Sequence, residues 1–449
     1  MGDSSPASRV LALPFFVQEA RHVGKPMPAL RWRVDRRGPG PRRPGRIHAR
    51  DAWTRPDRHC TRLRKLPSVS TESPAKGDDM SVVDTDTGID TGTGADAGRA
   101  SNTDSLPGPG RRTGDGSAVR APALLHKGFG LMQKLRPEHL TSFITPEADL
   151  FTVWHLGVPD VRADSWTLTV GGMVSRTLTL SAEDLAGLPQ TEITAVHECA
   201  GSPLAPTVPQ RRVGNVRWGG VRLSELLRLA GIEQGAAYVI STGVDHGVYD
   251  GAHHERYEKD LPLEKALDGS VLVALTVNGE PLPVRRGGPL RLVVPGYYGT
   301  NSTKWLDSLT VSDRRSGSAF TTKYYMDRPE NGSGSPAPVW ELAPNSCLVS
   351  PVDGNVRVGE PVEIRGWAWA HEPVTSVEVT TDGGRTWNPA RVAARVQHGW
   401  QGFGFPWTPT SVGEYVLACR ATTGSGATQP DTPRRNRIHQ RVVFVDQPA

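Results

Sequence analysis

V-L-V-A-L-T-V-N-G-E-P-L-P-V-R-R-G-G-P-L-R-L-V-V, residues Val271 to Val294, decides the fold class. Val271 to Val277 is an apolar strand, Asn278-Gly279 is a strong short hairpin signal, and Leu290 to Val294 is a second strand soon after. Upstream, Ser224 to Ala230 (S-E-L-L-R-L-A) reads as a helix stopped by Gly231, where a left-handed cap is wanted. Ser181 and Asp184 form a capping pattern that opens a second short helix, and Ser165 to Val170 alternates as a strand. Strands and short helices interleave without a βαβ repeat, which predicts an α+β domain over residues 121–335 rather than a doubly wound one.

Downstream, Asn331 to Pro338 has linker composition. Beyond about Cys347, strand-like runs recur at Val362 to Trp369, Ser376 to Thr381, Ala390 to Val396, Glu414 to Ala421 and Arg437 to Val445. Turn signals such as Asp382-Gly383-Gly384 separate them, the rhythm of a β-sandwich filling residues 336–449. Trp367, Trp369, Trp387, Trp400 and Trp407 are expected to be its packing rather than a binding platform. Residues 1–120, rich first in Arg and Pro and then in Asp, Thr, Gly and Ser, are expected to be disordered because they lack apolar surface to bury.

A chain of 449 residues that is 37% hydrophobic has room for two or three cored domains. Its net charge of +5 invites a nucleic-acid reading, but residues 1–80 hold 17 Lys/Arg against 8 Asp/Glu and the rest is mildly acidic, so none is expected. No apolar run approaches the length of a membrane span and no signal peptide is readable, so a cytoplasmic location is expected. Cys60, Cys199, Cys347 and Cys419 show no C-x-x-C spacing, which argues against a zinc ribbon, an iron–sulfur cluster or a disulfide framework. His246, His253 and His254 lack the spacing of a metal site.

The informative string is V-H-E-C-A-G, Val196 to Gly201. An alternating strand runs into Cys199, and Gly201 lets the backbone approach a bulky ligand. On residue type alone a buried structural thiol is the commoner reading.

That string, with D-L-F-T-V-W-H-L-G-V-P (Asp149 to Pro159), V-R-W-G-G-V-R-L-S-E-L-L (Val216 to Leu227), N-G-E-P-L-P (Asn278 to Pro283) and P-G-Y-Y-G-T-N-S-T-K-W-L (Pro295 to Leu306), resembles the sulfite oxidase family of molybdenum-cofactor enzymes. The stretch G-W-A-W-A-H-E-P-V-T-S-V-E-V-T-T-D-G-G-R-T-W resembles that family's immunoglobulin-like dimerisation domain. The resemblance implies a mixed-sheet molybdopterin-binding domain followed by an immunoglobulin-like β-sandwich. It implies a homodimer binding a molybdenum pyranopterin dithiolene, with Cys199 as metal ligand, a soft thiolate that such a metal selects. Phe151, His155, Asp245, Arg286, Arg291, Ser302, Thr303 and Lys304 match the cofactor-binding motifs, and Tyr325 matches the active-site tyrosine.

The implied reaction moves an oxygen atom to or from a small sulfur oxyanion, sulfite to sulfate first. No C-x-x-C-H or H-P-G-G haem string is present, so no haem and an external electron acceptor such as a cytochrome are expected. Departures from the family bear on substrate. Val153 stands two before His155 where the family has arginine, and Ser202-Pro203-Leu204 replaces Asn-Arg-Arg. The late arginine of the second domain falls at or beside Gln440, with Arg441 next and Arg211, Arg212 or Arg437 as substitutes. A sulfoxide, a thiosulfate-like compound or nitrate therefore stays open as substrate, as does a non-catalytic binding protein with a vestigial site.

Overall fold

The structure is a computed structural model that describes residues 122–132, 136–201, 212–328, 333–352, 356–432 and 434–448. The expectations for residues 1–120, Cys60, Ser202-Pro203-Leu204 and Arg211 lie outside these residues.

The first domain is built on two five-stranded sheets. One runs Glu258–Pro262, Tyr238–Gly243, Leu306–Ser312, Thr167–Gly172, Leu178–Ser181, and is mixed because Leu306–Ser312 pairs in parallel with Thr167–Gly172. The other is antiparallel, running Glu280–Pro281, Leu272–Val277, Val213–Arg222, Gln190–Glu198, with Arg291–Val293 also pairing Leu272–Val277. The turn at Asn278-Gly279 forms as expected, both residues at positive φ, and each of the two short strands that follow lies against part of Leu272–Val277.

Among the described residues, four short α-helices cover the sheets: α1 (Ala182–Ala186), α2 (Leu223–Ala230), α3 (Leu263–Leu267) and α4 (Ala319–Thr322). Ser181 caps α1 with a reciprocal Asp184 bond. Along α2, Leu223, Leu226, Leu227 and Ala230 lie on one face and are all buried, against Leu168, Val170, Leu309 and Val311 of the mixed sheet. Gly231 ends α2 at φ 72° and donates its N–H to the Leu227 carbonyl.

The second domain is a sandwich of two four-stranded antiparallel sheets. One runs Asn345–Ser350, Val362–Trp369, Gln401–Trp407, Arg391–Val392; the other runs Asn388–Pro389, Val374–Thr380, Gly413–Thr423, His439–Val445. Gln401–Trp407 escapes a reading by pattern because it carries glycine at alternate positions, and of the run expected over Ala390 to Val396 only Arg391–Val392 forms a strand, just after Pro389, which has no N–H for the ladder.

The tryptophans correct one expectation. Along Val362–Trp369, Ile364 and Ala368 face the sandwich core, whereas Trp367 and Trp369 turn the other way. With Trp400 they pack against Val196, Ala200, Val213 and Tyr298 of the first domain. Trp367 and Trp400 stack with ring centroids 4.7 Å apart. They are packing residues, but of the junction between the domains. Trp407 lies in the sandwich core, and Trp387 lies under Arg420.

Candidate active site

Cys199 follows the last residue of Gln190–Glu198, as the alternating string requires, and its N–H donates to the Arg212 carbonyl at 2.9 Å. The Gly201 N–H points back at its Sγ, 3.4 Å away. Burial pushes the thiol up, while the Gly201 N–H and the Arg212 cation pull it the other way. A β-carbon at Gly201 would lie 2.9 Å from an Arg212 guanidinium nitrogen, so glycine lets this loop close over the arginine.

The thiol opens into a cavity that is partly open to solvent. Eight other residues singled out in the sequence share its wall: Phe151, His155, Asp245, Arg286, Arg291, Ser302, Lys304 and Tyr325. Thr303 does not. Its hydroxyl is buried against Ser241 at 2.7 Å, on the face of the mixed sheet, so of the Ser302-Thr303-Lys304 run only the two outer residues reach the cavity.

Arg286 is on the wall but is already committed. Its five N–H groups donate to the Glu147 carboxylate and carbonyl, to the carbonyls of Leu150 and Phe151, and to the Thr152 hydroxyl. Instead of offering donors to a ligand, it fixes the 147–152 segment that forms one side of the cavity. Arg285 shares the Glu147 carboxylate, and both arginines hold its pKa below the ordinary carboxylate range against the effect of burial.

Among the described residues, Arg291 and Lys304 have donors to spare on this wall. Arg291 donates to the carbonyls of Arg286 and Ser302 at 2.9 and 3.1 Å, and its guanidinium lies 4.8 Å from the Trp218 ring centre. Lys304 Nζ donates to the Val153 carbonyl at 2.7 Å. Burial lowers the Lys304 pKa and raises that of Asp245, and each one's charge opposes the other's shift.

Tyr325 Oη and His155 Nε2 are 2.5 Å apart. Around His155 stand Phe129, Tyr249, Tyr257, Phe320 and Tyr325, with ring centroids within 6.0 Å. Sequence reasoning missed this aromatic wall, together with His197, which stacks on Phe151 at 5.3 Å. The H in V-H-E-C was the available signal for His197. It also missed Lys259, wholly buried, whose Nζ donates to the Phe320 carbonyl at 2.8 Å and lies 5.3 Å from the Tyr325 ring centre. His254 joins the aromatic wall through Tyr324 and Phe320.

Burial, reinforced by the Lys304 and Lys259 charges, lowers the His155 pKa from 6.5 to about 3. The unfolded chain therefore takes up a proton below pH 6.5 that the folded chain refuses down to about 3. Stability is full above pH 6.5 and is lost as pH falls toward 3, by up to about 1.4 kcal/mol per pH unit from this group. His155→Gln, which stays neutral, is expected to flatten that slope in denaturant melts between pH 7 and pH 4.5. An unchanged slope contradicts the assignment.

The arginines expected from the second domain lie elsewhere. Arg441 donates to Glu138 and to the carbonyls of Leu348, Val349 and Pro351, and Arg437 and Gln440 line a separate cleft of the sandwich. Arg212 donates to the Gly201 carbonyl at 2.6 Å.

The donor set fits a molybdopterin. A soft thiol, the buried Arg291 and the half-buried Lys304 share one cavity, and Trp154 on the same wall holds a buried indole N–H with no partner among the described residues. Among the described residues no three His, Cys, Asp or Glu side chains converge as a metal cage.

Comparison with known proteins agrees. A family described as "Oxidoreductase molybdopterin binding domain" matches residues 155–320, and one described as "Mo-co oxidoreductase dimerisation domain" matches residues 337–436. Mitochondrial sulfite oxidase of Rattus norvegicus is 32% identical over 332 residues, covering 66% of this chain, which spans 59% of that protein's length. Sulfite oxidase of Gallus gallus is 32% identical over 321 residues, covering 65% of this chain and 69% of the relative. The crystal structure of the sulfane dehydrogenase SoxCD from Paracoccus pantotrophus superposes with a TM-score of 0.60 at 28% identity, covering 68% of this chain and 82% of that one. The cavity's residues, the two domain matches and these relatives converge: the chain belongs to the sulfite oxidase family of molybdopterin-dependent oxidoreductases.

Proposed function

We propose that this chain oxidises a small sulfur oxyanion, with sulfite as the leading substrate. Sulfite and water give sulfate, two protons and two electrons, and the electrons leave to an external acceptor such as a cytochrome. The observation that carries the reading is the cavity that unites the Cys199 thiol, the Tyr325–His155 pair and the cations Arg291 and Lys304.

In this reading Cys199 would ligate the molybdenum through its thiolate, and Arg291, Lys304 and Ser302 would hold the phosphate of the pterin by hydrogen bonds, charge-assisted from the two cations. When bound, the molybdenum cofactor supplies the two-electron chemistry and the oxygen transfer. The protein orients and protects. His155, neutral through the physiological range, keeps Tyr325 Oη in place, so the phenol can bond to an oxygen of the substrate. The rings around His155 exclude water from that side.

Val153 and the aromatic wall favour a second reading, in which the same cofactor acts on a less anionic substrate such as a sulfoxide. Steady-state assays of molybdenum-loaded protein separate the two: sulfite with a cytochrome or dye as acceptor, and dimethyl sulfoxide with a reduced dye as donor. Sulfite turnover is the expected result. Sulfoxide turnover without sulfite turnover overturns it, and a purified chain that takes up no molybdenum supports the binding-protein reading instead. The dimerisation-domain match supports a homodimer, for which light scattering is expected to give twice the chain mass.

A further inference from the structure

The two groups closest to the proposed chemistry, Cys199 and Tyr325, belong to segments far apart in the first domain's sequence. The second domain touches both. Glu198, immediately before Cys199 and 1% exposed, accepts a bond from Asn345 Nδ2 and another from Trp369 Nε1, each 2.8 Å long. Ala200, immediately after Cys199, offers its carbonyl to Arg435 Nε at 3.2 Å. The same guanidinium makes a two-pronged ion pair with Asp327, two residues beyond Tyr325, through contacts of 2.5 Å each. Its plane lies over the ring of Tyr298, 5.4 Å from the centre, on the junction surface.

Asn345, Trp369 and Arg435 all belong to the sandwich. Asn345 and Trp369 grip only the cysteine side. Arg435 alone among the three spans the gap, with one edge on the cysteine loop and the other on the tyrosine segment. A planar, forked cation suits that task, because it fixes both direction and distance where a lysine would fix neither.

We propose that Arg435 is a positioning residue that sets the placement of the Cys199 sulfur relative to the Tyr325 hydroxyl, by tying Ala200 to Asp327. The sandwich thereby completes the active site of its own chain as well as providing a dimerisation surface. The inference rests on the reading of Cys199 as metal ligand for one of its consequences, the thiolate-to-metal absorption band, and is independent of it for another, the exposure of the thiol in metal-free protein.

The test compares Arg435→Gln, Arg435→Lys and Asp327→Asn with wild type. Arg420→Gln serves as control, since it removes an ion pair to Glu378 made within the sandwich. In metal-free protein the rate of Cys199 alkylation by iodoacetamide is followed by peptide mass. In loaded protein the molybdenum content, the thiolate-to-metal band, kcat and KM are measured.

Arg435→Gln and Asp327→Asn are expected to change the alkylation rate by about threefold or more and to shift the band. Both are expected to lower kcat by about tenfold or more with KM nearly unchanged, since misplacement by about 1 Å can cost as much as about 10²-fold. Arg435→Lys is expected to fall between, and Arg420→Gln to match wild type. Wild-type alkylation, band and kcat in both Arg435→Gln and Asp327→Asn overturn the proposal, and leave Arg435 as adhesive between domains. If Arg435→Gln fails to fold, Asp327→Asn decides alone, because it loosens only the tyrosine side. If wild type shows no thiolate band, the ligand reading of Cys199 fails while the alkylation rates still decide the role of Arg435.

Discussion

Arg286→Met is expected to be the most destabilising single substitution at the site. Arg286 is 5% exposed and its side chain makes five bonds to the 147–152 segment, two of them to Glu147 and one of those to its carboxylate. Methionine fills part of the volume but leaves the carbonyls of Leu150 and Phe151 and the half-buried Glu147 carboxylate short of donors. Breaking a buried pair from one side costs about 3–5 kcal/mol. Arg285, which still reaches Glu147, offsets some of this, and the expected loss in denaturant melts is about 3 kcal/mol. Pterin retention is expected to fall with it, because the displaced segment carries Phe151 on the cavity wall. A loss of pterin with full stability would instead show that Arg286 meets the cofactor directly.

Cys199→Ser is expected to have the largest effect on activity. Oxygen is a hard ligand, and serine near neutral pH is protonated, so the substitution removes the soft anionic sulfur that the metal selects. Changes to groups that only support a metal ligand cost about 10–100-fold, so loss of the ligand itself is expected to leave less than about 1% of wild-type sulfite turnover. Folding is expected to survive. The side chain keeps a surface open to the cavity, and the backbone bond from Cys199 to the Arg212 carbonyl does not involve the sulfur. Thermal melts near wild type with turnover above a tenth of normal would contradict the assignment.

What the sequence shows of this molecule is local. The Asn278-Gly279 turn, the α1 capping box, the α2 face and its glycine stop, and the cysteine at a strand end are set by neighbours within a few residues, and all are present where expected. The site residues were legible as a set only because the motifs resemble a family. Their roles were less so. Arg286 sits where a cofactor donor is expected, but nothing in R-R-G-G-P announces that Glu147, 139 positions away, consumes its donors. Thr303 lies between two cavity residues, but in the irregular stretch ahead of the Leu306–Ser312 strand its hydroxyl turns to Ser241 instead. Along Val362–Trp369 successive side chains face opposite sides, so apolar character could not tell which of two cores each tryptophan joins. Arg435 was illegible for a related reason. It lies in a run of charged residues, R-R-N-R, that reads as a solvated loop until the fold brings Asp327 and Ala200 to it.

On the proposed reading, Cys199 presents a thiolate to molybdenum and a sulfur oxyanion reduces the metal in this cavity. The visible absorbance spectrum of molybdenum-loaded protein, oxidised and then mixed anaerobically with sulfite, tests it most directly. A thiolate-to-metal band that is absent in Cys199→Ser and bleaches in wild type on sulfite addition is the predicted result. A loaded protein with no such band, or with a band that sulfite leaves unchanged, would contradict it.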